Sequence, residues 1–479
     1  MNLHPGLAMH LPALALAWIG VACGTAAPRA EAPVAVTGDD PEAIRSLFGY
    51  RSEMVNAPHF SGQVYVMEAG PADAPVVVLV HGLGESGSRD WYPILPALAG
   101  LYHVITFDLP GFGRSTHAHD LYSPDGYVQF IHDLVGPRMH GAFNLVGHSM
   151  GGAISLRYAG SFPGDVRRLM LIDAAGILHR KAYVNFAVSA GLDNLLGLLA
   201  GTGKNLANVA MDATSQAVSP ILPVSPDPSF VLQSNLLRAT ILDSSMRIAA
   251  LATILEDFGP TLAKVAAPTW ILWGRHDVVA SPRSALLLKA RLPYAQLEVL
   301  ERSGHDPMTS EPAAVADYLL QALATPEKPR FVRVPLTPFT PPEREGSCDG
   351  QSGVNFAGDY SDIDIKGCWD VRLKDVRARS LRIRDSHVVV ENTRVVSQAV
   401  AFAARGSRVE VTASDFVGNV AIDLDNSDLD LAGVDLQGQR ASVHVASASR
   451  LLFSVSHLDS PVQRRYVHDL LEPNSGEEL

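Results

Sequence analysis

The segment from Leu145 to Gly152, LVGHSMGG, places one serine between two glycines in the pattern G-x-S-x-G. Apolar residues precede it and a helix-forming stretch, 153–158, follows it. The segment therefore predicts a strand, a tight turn and a helix. In such a turn, side chains at Gly147 and Gly151 would clash with the neighbouring backbone, which explains the two glycines. We expect the hydroxyl of Ser149 to be exposed at the tip of the turn.

Apolar runs on both sides of this turn predict a parallel sheet. Continuous runs of this kind are typical of strands that are covered on both faces. The predicted strands are Val64–Met67, Val76–Val80, Tyr102–Asp108, Ala142–Val146, Arg168–Ile172, Thr269–Trp273 and Leu297–Leu300. Helical segments such as Trp91–Leu98 and Tyr127–Leu134 lie between them, so the sequence predicts the α/β class. Functional residues of such sheets lie on loops at the carboxyl ends of the strands.

Two of these loops carry residues that complement a reactive serine. A serine hydroxyl is a poor nucleophile at neutral pH, so it needs a general base, and the base needs an acid that orients it. Asp277 closes the stretch Gly274-Arg275-His276-Asp277 after one predicted strand, and His305 follows Gly304 after the next. Because both follow strands, we expect them at the same edge of the sheet as Ser149.

These three motifs carry a family resemblance. Residues 62–323 resemble the α/β-hydrolase superfamily, specifically its capped esterases and lipases. The match consists of Gly147 to Gly151, Gly274 with Asp277, and the pair Gly304-His305, in the family's chain order of serine, acid and histidine. The resemblance implies an α/β-hydrolase fold with a helical cap.

The resemblance also implies roles for single residues. Ser149 would attack an acyl carbonyl, His305 would take its proton and pass it to the leaving group, and Asp277 would orient the imidazole. Backbone N–H groups of Leu83 and Met150 would form the oxyanion hole. No metal ion and no organic cofactor is implied.

Other polar residues near these motifs have competing interpretations. Asp173 follows the strand 168–172 and is the alternative triad acid, but Asp277 has the family's Gly-x-x-Asp setting. Structural roles are expected for His81, which braces the oxyanion loop, and for His148, Asp306, Asp108 and Arg114.

The predicted reaction is hydrolysis of carboxylic esters, small-molecule or lipidic. Epoxide hydrolases and haloalkane dehalogenases of the same fold use an aspartate where this chain has Ser149, so the serine indicates acyl transfer. Carbon–carbon bond hydrolases and cofactor-free haloperoxidases keep the serine triad and stay open as alternatives. A further alternative, from another class, is a catalytically retired hydrolase that serves as an envelope binding or scaffold protein.

The predicted hydrolase region spans residues 46–325. Between about 175 and 258 the strand signal gives way to apolar helical sequence such as Leu192–Leu199 and Ser244–Leu255. This predicts a helical cap over the sheet. Its apolar residues serve either the cap's own packing or, as a lid, the selection of hydrophobic esters.

A second region follows a proline-rich linker at 326–346. From 347 to 479 short alternating strands recur, and Ser386, Ser407 and Ser427, with Ser447 or Ser449 next, mark a repeat of about twenty to twenty-two residues. The period predicts an all-β parallel β-solenoid of about four coils. The region resembles the right-handed parallel β-helix of many bacterial surface proteins, and its partner is unknown.

The composition and net charge of the chain limit which kinds of partner are expected. The chain has 479 residues and a formal net charge of −12, with no cluster of lysine and arginine that would attract a phosphate backbone. We therefore expect no nucleic-acid partner.

The N-terminus predicts export. Leu7–Ala22 is an apolar run of signal-peptide length, too short to favour a membrane span. We expect a signal peptide over residues 1–23 and a tether over 24–45. The expected location is the bacterial cell envelope, either the periplasm or, through a lipid anchor, the outer membrane.

The three cysteines fit this expectation. Gly20-Val21-Ala22-Cys23 resembles a bacterial lipoprotein signal box, which implies a lipid on Cys23 and membrane attachment through it. The alternative is a soluble exported protein cut near Ala26 or Ala27. Cys348 and Cys368 lie close together in the second region, and in an oxidising compartment they would be able to pair.

Overall fold

A computed structural model describes most of the chain. The described residues are 34–35, 40–189, 229–242, 244–292, 294–326, 340 and 342–479. The predicted signal peptide with Cys23, most of the tether, part of the cap (190–228) and most of the linker (327–339 and 341) lie outside them. The described residues belong to one compact unit.

The apolar runs of the first region form one nine-stranded sheet. Its strands are β1 (Val34–Ala35), β2 (Arg51–Asn56), β3 (Gln63–Ala69), β4 (Val76–Val80), β5 (His103–Phe107), β6 (Phe143–His148), β7 (Val166–Ile172), β8 (Thr269–Gly274) and β9 (Ala295–Leu300). The spatial order is β1-β2-β3-β5-β4-β6-β7-β8-β9. Pairing is antiparallel from β1 to β5 and parallel from β5 to β9, so the predicted α/β class is confirmed.

Helices connect these strands. They are α1 (Glu42–Arg45), α2 (Leu95–Ala99), α3 (Pro124–Val135), α4 (Met150–Ser161), α5 (Arg180–Ser189), α6 (Ser229–Gln233), α7 (Asn235–Leu237), α8 (Ser245–Ile254), α9 (Gly259–Leu262), α10 (Pro282–Arg291), α11 (Pro307–Ser310) and α12 (Pro312–Ala324). Short 3₁₀ turns cover Gly87–Trp91 and Gly136–Arg138, and a π-helical turn covers Arg238–Leu242. Within the predicted cap, the described residues form helices and loops but no strand.

The sheet is buried on both faces. Strand β4 shows this directly, because Val78 and Val80 pack into one core while Val77 and Leu79 pack into another. All four side chains are fully buried. Alternate residues of a strand point to opposite faces, so a continuous apolar run is what such a strand requires.

The second region, residues 342–479, is here called the C-terminal β region. Its strands are β10 (Gly346–Asp349), β11 (Asn355–Asp359), β12 (Asp362–Lys366), β13 (Val371–Ala378), β14 (Ser380–Arg384), β15 (His387–Glu391), β16 (Arg394–Val396), β17 (Val400–Arg405), β18 (Arg408–Thr412), β19 (Asp415–Asp425), β20 (Asp428–Ala432), β21 (Asp435–Val445), β22 (Arg450–Ser454), β23 (Ser456–Asp459), β24 (Arg464–Val467) and β25 (Leu470–Leu471). Parallel pairing links them from β10 to β23, and β24 and β25 add antiparallel pairs. The predicted all-β class is confirmed, and the pairing is compatible with a β-solenoid.

The repeat length varies along this stack. Leu381 pairs with Phe402 and Phe402 pairs with Ile422, offsets of 21 and 20 residues that match the predicted period. The pair Ile363 and Leu381 is offset by only 18 residues. One face therefore holds six layers (β10, β12, β14, β17, β19 and β21), so the expectation of about four coils was wrong. The first coils are shorter than the period on which the prediction was based.

Buried serines bond one coil to the next. The Oγ of Ser407 accepts from the backbone N–H of Ser386 at 3.2 Å, and the Oγ of Ser427 accepts from Ser407 at 3.1 Å. Ser449 continues this serine ladder, since its Oγ accepts from the N–H of Ser427 at 3.1 Å. Ser447, the other candidate, accepts from the N–H of Asn426 at 3.0 Å instead. The spacing that predicted the repeat is thus a hydrogen-bonding device at a corner of the coil.

A disulfide lies in the first coils of the C-terminal β region. It joins Cys348 of β10 to Cys368, the pair expected to be close. Both cysteines are buried.

Helix α10 joins the two regions. Leu287 belongs to the hydrolase core, which also includes Ala432, Leu452 and Val455 of the C-terminal β region. The guanidinium of Arg283 donates to the Oγ of Thr412 at 2.9 Å and pairs with Asp430 at 3.1 Å. The two regions therefore share one apolar core and a buried polar contact.

Among the described residues, no helix combines the length and the apolar character that crossing a membrane requires.

Candidate active site

Ser149 occupies a strained position between β6 and α4. Its φ is 52° and its ψ is −120°, in a part of conformational space that side chains other than glycine rarely adopt. The backbone N–H of Ser149 donates to the carbonyl of Ile172 on β7 at 2.9 Å, which fixes the turn to the neighbouring strand. The structure thus has the predicted strand, turn and helix around this serine. The expectation that its hydroxyl would be exposed was wrong, because Ser149 is only 5% exposed.

The glycines of the motif allow this turn. A Cβ atom at Gly151 would overlap the carbonyl oxygens of Val80 and His81, at the end of β4. A Cβ atom at Gly147 would overlap the carbonyl oxygen of Gly151. Helix α4 therefore starts in direct backbone contact with the loop after β4.

The structure brings Ser149, His305 and Asp277 into one hydrogen-bonded chain. The distance from His305 Nε2 to Ser149 Oγ is 2.8 Å, and that from His305 Nδ1 to Asp277 Oδ2 is 2.9 Å. The second carboxylate oxygen, Asp277 Oδ1, accepts from the backbone N–H groups of Val279 at 2.8 Å and Ala280 at 2.9 Å. The acid is thus held on both sides, a geometry that lets the histidine deprotonate the serine.

Sheet topology explains why three distant segments meet. The loops after β6, β8 and β9 all lie at the carboxyl edge of the sheet. Strand β4 leads outward to β5 and β6 returns on its other side, so the loops after β4 and β6 diverge and leave a crevice. The side chain of Asp277 is fully buried and that of His305 is 20% exposed, so the open side of the relay is at the histidine and serine.

The loop after β4 lies against the serine. A Cβ atom at Gly82 would come within 3.0 Å of the Cβ of Ser149, so the chain at Gly82 and Leu83 borders the nucleophile. Met150 is the first residue of α4, where helix geometry leaves the N–H without a partner in its own helix. The predicted oxyanion donors Leu83 and Met150 are thus on the two segments that flank Ser149.

His81 holds this loop in place. Its Nε2 accepts from the backbone N–H of Leu109 at 2.8 Å, and its Nδ1 lies 2.7 Å from the carbonyl of Gly82. Burial lowers the pKa of His81, so the ring stays neutral at neutral pH. These contacts give His81 the bracing role that the sequence indicated.

His148 supports the histidine loop from below the serine turn. Its Nε2 lies 2.7 Å from the backbone carbonyl of His305 and donates to it. Burial and the neighbouring His305 lower the pKa of His148 to about 4, so it is neutral near pH 7. The residue between Gly147 and Ser149 therefore positions the base of the relay.

Three further polar residues have structural contacts. Asp108 accepts from the Nε of Arg114 at 2.8 Å and from the backbone N–H of Ser88 at 2.7 Å. Asp306 is exposed and its backbone carbonyl accepts from Thr309 and Ser310 at the start of α11. None of these contacts reaches Ser149.

Asp173 lies next to the acid of the relay. It follows β7, is fully buried, and accepts from the backbone N–H of Gly274 at 2.8 Å. His305 pairs with Asp277 and not with this residue. The sequence offered Asp173 only as an alternative acid, and nothing in the pattern indicated that both carboxyl groups would meet.

The cap also approaches the site. Burial and then the negative charge of Asp277 raise the pKa of Tyr183 on α5 to about 12. Sequence reasoning missed this tyrosine, because a single aromatic residue in an apolar helix carries no distinguishing signal. Within the described ranges, no group of three or more histidine, cysteine or acidic side chains is arranged to hold a metal ion.

The chain is similar to several known proteins. Lipase 1 of Psychrobacter immobilis is 28% identical over 53% of this chain and 78% of its own length. Human monoacylglycerol lipase ABHD6 is 26% identical over 54% of this chain and 79% of its own. The solved esterase of Exiguobacterium antarcticum is 19% identical, with a TM-score of 0.42, over 57% of this chain and 99% of its own. The model of the alpha/beta hydrolase family matches residues 77–318, half of the chain. The chain therefore belongs to the alpha/beta hydrolase family.

Proposed function

We propose that the chain is a serine hydrolase that cleaves carboxylic esters through an acyl-enzyme on Ser149. The observation that carries this proposal is the hydrogen-bonded chain from Ser149 Oγ through His305 to Asp277, with distances of 2.8 and 2.9 Å. Its serine sits in the strained turn between β6 and α4, as the nucleophile of such a motif does. Lipases and esterases among the relatives support the same class of reaction.

Acylation would begin at the serine. Ser149 Oγ attacks the ester carbonyl while His305 Nε2 takes the hydroxyl proton, and Asp277 stabilises the charged imidazolium. The negative carbonyl oxygen would be bound by the N–H groups of Leu83 and Met150, each worth about 3 kcal/mol of transition-state stabilisation. His305 then gives its proton to the departing alcohol, which leaves the acyl group on Ser149.

Deacylation would repeat these steps with water. His305 takes a proton from water as the oxygen attacks the acyl carbonyl, and it returns a proton to Ser149 Oγ as the carboxylic acid leaves. No metal or organic cofactor takes part in this scheme.

We extend the proposal to hydrophobic esters, including lipid esters. Val278, the neighbour of Asp277, exposes 46% of its apolar side chain, and Leu236 in the cap exposes 70%. Two relatives are named lipases, one for monoacylglycerol. Acyl-chain preference would show as a difference in kcat/KM across a series of p-nitrophenyl esters of increasing chain length.

Ser149→Ala tests the proposal. We expect it to lower kcat for p-nitrophenyl butyrate by about 10⁴-fold or more, because the nucleophile is removed while the fold is kept. It should also abolish labelling by a fluorophosphonate probe. Ser161→Ala is the matched control, since Ser161 is an exposed serine at the other end of α4. Wild-type protein that neither labels nor turns over esters would instead support the scaffold alternative.

Export and lipid attachment at Cys23 are part of the proposal. The disulfide between Cys348 and Cys368 supports an oxidising compartment. A metabolically incorporated palmitate analogue should label the wild type in the membrane fraction, and Cys23→Ser should be unlabelled. A mature N-terminus near residue 26 without lipid would contradict attachment while keeping export.

A further inference from the structure

Two carboxyl groups are buried together behind the catalytic histidine. Asp173 directly follows β7, and Asp277 lies three residues after the end of the neighbouring strand β8; Ile172 and Leu272 of these strands are paired. The backbone N–H of Asp173 donates to the carbonyl of Leu272 at 3.0 Å, and Asp173 Oδ1 accepts from Gly274 at 2.8 Å. The backbone at Asp173 has a φ of 45°, so the chain here adopts a left-handed conformation that non-glycine residues rarely take.

The contacts of the two carboxyl groups differ. Asp277 accepts three hydrogen bonds, from His305, Val279 and Ala280, as an ionised carboxylate does. Asp173 accepts one, and its Oδ2 is buried without a donor among the described residues. A buried, ionised oxygen with no donor is strongly unfavourable, whereas a protonated one can itself donate.

The charges around Asp173 also favour its protonated form. Asp277 from the loop after β8 and Asp306 from the loop after β9 both act on it and both are negative. His305 carries a positive charge only when it is protonated. Burial first, and then the negative charge of Asp277, raise the pKa of Asp173 well above the ordinary carboxyl value.

We propose that Asp173 keeps its proton in the folded enzyme and donates it, as a hydrogen bond, to the carboxylate of Asp277. This inference rests on the proposed function, since it gives Asp277 a second support within the relay. Asp173 touches no reacting atom and is therefore a positioning residue. Its O–H donates to the carboxylate of Asp277, shares part of the negative charge of that carboxylate and orients it toward His305.

The direction in which Asp173→Asn shifts the acid limb of kcat/KM distinguishes a protonated Asp173 from an ionised one. Asp173→Asn keeps an acceptor for Gly274 and a donor for Asp277, with no change in charge if Asp173 is protonated. We then expect kcat/KM within about twofold of wild type and an unchanged acid limb of its pH profile. If Asp173 were ionised, the same variant would remove a negative charge and move the acid limb to lower pH, which would overturn the proposal.

Asp173→Ala removes the donor. The negative charge of Asp277 is then less compensated, so protonated His305 is stabilised. We expect the acid limb of kcat/KM to move to higher pH by about half a unit and kcat/KM at neutral pH to fall about tenfold. An Ala variant that matches the wild type in both would contradict the positioning role.

Thermal unfolding tests the protonation state without any turnover. A buried acid with a raised pKa binds its proton where the unfolded chain has lost it, so the wild type loses stability as the pH rises above about 4. Asp173→Asn lacks this loss. Its Tm should exceed the wild-type Tm at about pH 8 and equal it at about pH 4.

An exposed carboxylate, that of Asp317, provides the control for these measurements. Asp317→Asn removes an exposed carboxylate on α12. Its Tm at each pH and its pH profile of kcat/KM should match those of the wild type. A Tm difference between Asp173→Asn and the wild type that stays constant from about pH 4 to about pH 8 would contradict a protonated Asp173. An inactive wild type with the expected Tm pattern would refute the esterase proposal and keep the protonated pair.

Discussion

The hydrolase region and the C-terminal β region both bury serines, and they use them in opposite ways. Ser149 is 5% exposed, sits at a φ of 52°, and its hydroxyl meets a histidine. Ser407 is equally buried at 5%, but its Oγ accepts from the N–H of Ser386 and donates to the carbonyl of Arg405 at 2.7 Å. Burial is the same, while strain and the hydrogen-bond partner differ.

This difference shows how a polar residue acquires a function. In the C-terminal β region, buried serine hydroxyls recur from coil to coil and are hydrogen-bonded to backbone groups. They therefore stabilise the stack and have no reactive partner. In the hydrolase region three unique loops meet at one sheet edge, and their polar groups satisfy one another. The first arrangement spreads stability over many equal positions, whereas the second concentrates chemistry at one.

The largest expected effect comes from a substitution in the turn that carries Ser149. Gly151→Ala places a Cβ atom on the carbonyl oxygens of Val80 and His81, where neither backbone segment can move away. We expect loss of esterase activity together with destabilisation by about 3 kcal/mol or more, measured by urea unfolding. Gly84→Ala is the control, because its Cβ would meet nothing within 4 Å. A fully active Gly151→Ala enzyme would show that this contact does not shape the turn.

A smaller effect concerns pH. The folded-state pKa of His148 is lowered to about 4, so below about pH 6.5 the unfolded chain binds a proton that the folded protein does not. Stability is therefore retained above that pH and falls between about pH 6.5 and 4, by up to about 3 kcal/mol. His148→Gln keeps a donor for the carbonyl of His305 and should show a shallower fall in the free energy of unfolding. Parallel curves for the two proteins would contradict this.

The contact between the two regions should contribute less to stability than Gly151 or His148 does. Arg283 is 14% exposed and pairs with Asp430 and Glu410, so Arg283→Ala leaves these carboxylates without their partner. We expect a loss of about 2 kcal/mol in the free energy of unfolding. Arg450→Ala removes an exposed pair with Asp428 and should lose less than about 1 kcal/mol. Equal losses would mean that helix α10 is not a significant attachment point.

The smallest effect is expected in the serine ladder. Ser407→Ala leaves the buried N–H of Ser386 without its acceptor, for a loss of about 1 kcal/mol and unchanged kcat/KM. Chemical unfolding and ester turnover measure the two quantities. A change in kcat/KM would show that the ladder is coupled to the site.

Local pattern was sufficient for most of the first sheet and for the segments that carry the site. Val76–Val80 is a strand over its full predicted length, because an apolar run without breaks suits only a strand covered twice. Ser149, Asp277 and His305 lie where the motif order placed them, since strand ends of a parallel sheet share an edge. Sequence period also indicated the stacked strands.

Contacts that depend on three-dimensional packing were not predictable. That Asp173 and Asp277 lie beside each other depends on the pairing of β7 with β8, which no local pattern encodes. The attachment of Arg283 to Asp430 joins residues 147 positions apart and has no periodic signal. The first coils of the C-terminal β region were missed because their repeat is shorter than that of the later ones.

The position of helix α10 has a consequence for how this chain evolves. Asp277 and Arg283 are separated by one short loop, so the acid of the relay and the attachment of the C-terminal β region lie on one rigid piece of backbone. We therefore expect substitutions in β18 and β20, which contact Arg283, to affect the position of Asp277 although these strands lie far from Ser149 in sequence. We expect substitutions to accumulate more slowly there than in β11 or β12, which a comparison of related chains would measure.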